Sequence, residues 1–251
     1  EKSQHLLIVF YEYRSYEVVP ASGYKSFPIV DYCYNSFSSD EKAKLQNDWE
    51  IVRDYLQAVY DECHDTCERN ERLVGFTHVL RPQLLLIELV PGFKRRASGN
   101  YQRPRYKLKK TFVDYIVRGH FDKSRACSEI VLKEPFSSFA QLDARCHALT
   151  LLYKGKTLQE LKQELGIEGA MKNVAAQCVI RMFGTSCKRL NQISDFTKAG
   201  IIAKTITMTP RDGRTEDMKL SHIDFEEWAD RDADFEDSEV YSYFCEHSFL
   251  C

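Results

Sequence analysis

Apolar and polar positions along this chain fall into blocks whose period changes several times. HLLIVFYEY (His5 to Tyr13) is dense in β-branched and aromatic residues and predicts a buried strand. Within SSDEKAKLQNDWEIVRDYLQAVYDEC, Leu45, Trp49, Val52, Leu56 and Val59 recur at alternating steps of four and three. That spacing puts them on one helical face. A long amphipathic helix is expected from about Glu41 into the sixties, capped by Ser39 or Asp40. LLLIEL (Leu84 to Leu89) predicts a second strand, and KLKKTFVDYIVRGHF a helix from about Thr111 that ends near Gly119.

A charged linker, DKSRACSE, follows from Asp122 to Glu129. Three helices are expected beyond it, in SFAQLDARCHALTLLY, TLQELKQEL and MKNVAAQCVIRMFG. Thr157 caps the second of these, and Glu160 completes a capping box. GIIAKTITMT returns to β-branched, alternating chemistry and predicts a strand, repeated in MKLSHIDF after the turn PRDGR.

Composition changes this picture little. A chain of 251 residues is one large or two modest domains, and 43% hydrophobic with 29% charged residues is ordinary for a globular protein. No apolar run approaches the roughly 20 residues of a membrane span, and the opening residues do not read as a signal peptide. Nine scattered cysteines suggest reduced thiols and a cytoplasmic protein. The chain starts without Met and stops on SFLC, so it reads as a segment of a longer protein.

Charge is unevenly placed despite a net charge of −2. Lys94, Arg95, Arg96, Arg103, Arg105, Lys107, Lys109 and Lys110 fall in one short stretch without an acid, interleaved with Tyr101 and Tyr106. A basic loop that enters a helix suits phosphate contact, because helix N-terminal amides add to its potential. Arginines can also fork onto guanine edges. Nucleic acid is therefore the expected partner. The stretch from Asp224 to Glu239 is the reverse, nine acids opposed only by Arg231. CHDTC (Cys63, His64, Cys67) and CEHSFLC (Cys245, His247, Cys251) raise zinc, but neither has a matching ligand pair, so no metal is assigned. There is no Walker loop, dinucleotide glycine pattern or nucleophile elbow.

YKGKTLQELKQELGI, KNVAAQCVIRMFGTS and SDFTKAGIIAKTI, in that order, resemble the amino-terminal half of the MutH mismatch-repair endonuclease and its relatives among GATC-cutting type II restriction enzymes. HLLIVFYEYR, DEKAKLQNDWEIVRDYL, VLRP (Val79 to Pro82) and RYKLKKTF (Arg105 to Phe112) resemble the carboxy-terminal half of the same domain. The resemblance implies a mixed α+β, α/β-type fold: a restriction-endonuclease-like central mixed sheet flanked by helices, in two partial copies. Residues 1–122 would close a first, catalytic-type domain, 123–133 would be the linker, and 134–251 would open a second, degenerate one.

The same resemblance implies site-specific cleavage of double-stranded DNA with Mg²⁺ by the full-length enzyme, and a second domain that binds DNA without cutting. Family members that cut carry Asp, then Glu two residues before Lys, and a further Glu on the preceding helix. Here Asp195 and Lys204 stand at the first and last of these positions, while Ile202 and Ile180 replace the two Glu. Mg²⁺ is held by oxygen ligands, so this relic is expected to be non-catalytic. Arg81, Arg103, Arg105, Tyr106, Lys107, Lys109 and Lys110 are the expected DNA contacts, with Lys107 where the family reads a base with tyrosine. Self-association is left open, and no membrane partner is expected. The alternative is a DNA-binding or regulatory protein whose nuclease sites have all decayed.

Overall fold

The computed structural model describes residues 5–15, 17–90, 104–122, 132–168, 174–206, 220, 223, 228–229, 234–235 and 238–250. Within them the fold is mixed α and β. The first unit is an antiparallel hairpin of β1 (His5–Tyr11) and β2 (Ile29–Ser36), with a bulge between Phe10 and Tyr11. β1 is not buried on both sides as its composition predicts. Its residues alternate in exposure along the strand: Leu6, Ile8 and Phe10 pack inward, while Leu7, Val9 and Tyr11 face out.

α1 (Ser39–Glu62) follows. Ser38 caps it, one residue before the earliest expected cap, because Glu41 stands three residues on. The Ser38 hydroxyl accepts from the Glu41 amide at 3.2 Å, and the Glu41 carboxylate accepts from the Ser38 amide at 2.9 Å. α2 (Thr66–Val74) and α3 (Phe76–Leu80) lead to a short hairpin of β3 (Ile87–Val90) and β4 (Arg105–Leu108). β3 begins three residues later than the apolar run predicts. Leu84, Leu85 and Leu86 are wholly buried, but the amides of Leu85 and Leu86 donate to the Asp48 carboxylate rather than to a neighbouring strand.

α4 (Lys110–Phe121) and three helices beyond it lie close to their predicted ranges: α5 (Phe139–Tyr153), α6 (Leu158–Glu164) and α7 (Val174–Met182). Thr157 and Glu160 form the expected capping box on α6. SDFTKA, by contrast, forms a short helix, α8 (Ser194–Ala199), before the strand β5 (Ile201–Ala203). Gly200 ends α8 in the left-handed region, at φ 70°, and a Cβ there would lie 2.4 Å from the Glu246 carbonyl oxygen. α9 (Glu239–Glu246) leads into β6 (Ser248–Leu250), which pairs in parallel with β5. The strand expected in MKLSHIDF lies almost wholly outside the described residues.

Among the described residues the strands form three two-stranded sheets rather than one central sheet. Leu85, Leu86, Phe112 and Ile116 share one apolar cluster with Phe136, Ile180, Ile193 and Phe196, so residues from both sides of the predicted linker build the main core. No described helix is long and apolar enough to cross a membrane.

Candidate nucleic-acid interface and the nuclease-like stretch

At its amino-terminal end α1 buries a charged stripe. Glu41, Lys44 and Asp48 recur at steps of three and four and all face inward. Each finds partners far along the chain. Lys44, with no exposed surface, donates to Asp195 Oδ1 at 2.7 Å and also to Asp40. Asp195 Oδ2 accepts the Leu132 amide at 3.3 Å. Lys198 lies 2.8 Å from Glu41 Oε1, so one carboxylate serves both the capping box and an ion pair. Burial pushes Glu41 up, but the hydrogen bonds from Lys198 and Ser38 outweigh it and hold its carboxyl below the usual range. Aromatic faces complete the setting: Lys44 lies 5.4 Å from the Phe136 ring centre and Lys198 lies 4.6 Å from that of Tyr115.

Asp195 is thus an interior ion-pair partner on a helix. Lys204 stands elsewhere. Its amide donates to the Leu250 carbonyl at 2.8 Å, and its side chain lines a cavity of about 460 Å³ with Cys146, Tyr153, Cys178 and Met182. Ile180 is fully buried in the main core and Ile202 is half-buried on β5. This donor set does not fit Mg²⁺. The Asp195 oxygens are taken by an ammonium and an amide, and the other two positions offer only hydrocarbon. Among the described residues no group of His, Cys, Asp or Glu is arranged to hold a metal ion.

The predicted DNA contacts fall into three environments. Arg103 lies outside the described residues. Arg105, Tyr106 and Lys107 follow one another along β4; Tyr106 is 78% exposed, and Arg105 and Lys107 are exposed beside it. Lys110 opens α4, exposed and 3.9 Å from Glu246. Arg81 is half-buried and donates to Glu88 Oε1 at 3.0 Å, while Lys107 lies 3.1 Å from Glu88 Oε2. Glu88 therefore ties Arg81 to the strand pair from below.

Lys109 departs from its expected role as a phosphate contact. It is 7% exposed, with its ammonium 5.6 Å from the Phe139 ring centre and its amide bonded to the Leu86 carbonyl. Burial pulls that ammonium down to about 8, against the opposing pull of Asp48 and Glu88. Because an unfolded lysine titrates near about 10.4, the unfolded chain binds a proton between about pH 8 and 10.4 that the folded chain has released. Stability gained from this group therefore rises with pH across that window, by about 3 kcal/mol at most. Urea unfolding at pH 7.5 and pH 10 should show that increment in the wild type and its loss in Lys109→Met. Equal pH responses in the two proteins would contradict the assignment.

Sequence reasoning missed Lys44 and Lys198. The available signal was the spacing of charges along α1, which repeats like an apolar face. No protein-family model matches the chain, and no curated protein matches it.

Proposed function

We propose that this chain binds double-stranded DNA through the β3–β4 hairpin and the start of α4, as part of a MutH-like, GATC-directed restriction endonuclease. The observation that carries this reading is the row Arg105, Tyr106 and Lys107 on an exposed strand, continued by Lys110 at a helix start with no acid in its first turn. Cations at that end oppose the helix dipole, an arrangement that a bound phosphate relieves. A two-stranded ribbon also fits the major groove, where arginine and lysine read guanine. The resemblance supplies the restriction-endonuclease-like fold and the Mg²⁺-dependent cleavage, both assigned to the whole enzyme and not to Asp195.

A second reading is DNA binding without any cleavage; the commitment of the Asp195 carboxylate to Lys44 is compatible with both. One set of experiments separates the two. Arg105→Ala, Lys107→Ala and Lys110→Ala together should weaken duplex binding at least tenfold. They should also make the slope of log K against log salt less negative by about 2–3. An unchanged slope removes the hairpin from the interface. Mg²⁺-dependent nicking of a GATC plasmid by the full-length protein favours the first reading, and binding without nicking favours the second.

A further inference from the structure

Among the described residues, nothing packs over the outward face of the β1–β2 hairpin. Leu7 pairs with Tyr34 and Val9 with Tyr32, and alternation along both strands puts these four on one side; past the bulge, Tyr11 pairs with Ile29 at the end of the same row. All are exposed, with Ile29 at 72% and Tyr32 at 64%. His5 closes one end, stacked on Tyr34 and hydrogen-bonded to Ser36 at 3.0 Å. Phe27 and Tyr24 close the other, against Tyr11. None of these side chains carries a fixed charge. The face thus offers nothing to a phosphate backbone and cannot be an extension of the basic hairpin.

From their exposures, the six residues leave roughly 700 Å² uncovered, close to what one partner contributes to a standard interface and above the largest patch usual on a monomer. We propose that this face packs on the same face of a second copy, giving a two-fold dimer. With the axis running along the strands, the aliphatic row of Leu7 and Val9 lies over the tyrosine row of Tyr32 and Tyr34 in the other copy. The surface is therefore complementary to itself, as an isologous contact requires. Two sheet faces packed in this way form a core of the ordinary sandwich kind, with their strands nearly aligned. Tyrosine hydroxyls reach the rim, where water satisfies them.

Sedimentation velocity on the unmodified chain, without DNA, tests this directly. The expected result is a dimer of the 29.3 kDa chain at micromolar concentration. Val9→Glu and Tyr32→Glu each place a charge at the centre of the contact and should give monomers with cooperative melting. Trp49→Glu, on an exposed part of α1, should leave the dimer intact. If a glutamate variant fails to melt cooperatively, Leu7→Ser and Tyr32→Ser take its place, and each should raise the dimer dissociation constant at least tenfold. A wild-type monomer overturns the proposal, whatever else then binds the face. So does a dimer that survives both glutamate variants, or serine variants that leave its dissociation constant unchanged. None of these readings depends on DNA binding.

Discussion

An Asp195→Ala variant is expected to lose about 3–5 kcal/mol of unfolding free energy, a large part of the total for a domain of ordinary stability. The cause is what the substitution leaves behind. Lys44 has no exposed surface, and half-exposed Asp40 becomes its remaining carboxylate partner. The Leu132 amide loses its acceptor as well. Removing one member of a buried pair costs far more than the pair contributes, because the other charge stays in a low-dielectric interior. Pairing Asp195→Leu with Lys44→Met should therefore recover most of the loss, and urea titration of the two single variants and the double variant gives the coupling directly. A vestigial catalytic acid in an open cleft predicts the opposite: near-neutral single variants and no coupling. The experiment thus decides what Asp195 is for, independently of any assay of cleavage.

The same residue marks where sequence reasoning succeeds and where it stops. Some helix starts were legible where a cap and its partner are local: Thr157 and Glu160 were recognised, Ser38 was displaced by Ser39 and Asp40 beside it, and the start of α9 at Ser238 was not read. The apolar helices α5 and α7 were equally legible, since apolar density survives in one dimension. LLLIEL was harder. A short apolar run is strand-like by composition, but the carboxylate that takes its amides lies on α1, 37 residues away from Leu85. Of the interior charges, only the spacing of Glu41, Lys44 and Asp48 along α1 left a trace in the sequence, and their partners left none. Lys44 and Asp195 are 151 residues apart, so no local pattern pairs them. The resemblance singled out Asp195 as the first acid of a nuclease site; the fold sets it on a short helix that Gly200 stops, with its carboxylate bonded to Lys44. For the expected DNA contacts, composition marks the basic stretch, and only the fold separates exposed Arg105, Tyr106 and Lys107 from buried Lys109.

The second large effect centres on Asp48. Its carboxylate accepts the consecutive amides of Leu85, Leu86 and Ile87 at 2.7, 2.8 and 3.0 Å, and so fixes the entry into β3. Burial raises its pKa, and those three donors offset part of the rise. Asp48→Ala strands the amides in an apolar setting, so it should cost about 3–5 kcal/mol, with Asp48→Asn between it and the wild type because an amide oxygen still accepts. Hydrogen exchange at Leu85 and Leu86 should accelerate before that of the α5 core, since the loss is local to β3. The consequence reaches the basic hairpin through Lys109, whose ammonium is held up against burial chiefly by Asp48. In Asp48→Asn that support is gone, and the Lys109 titration, followed by NMR at its Cε, should move below about 8. A titration that stays in place would mean that Asp48 and Lys109 do not share a field. In that case the register of β3 and β4, and with it the outward set of Arg105, Tyr106 and Lys107, would be held by the amide bonds alone.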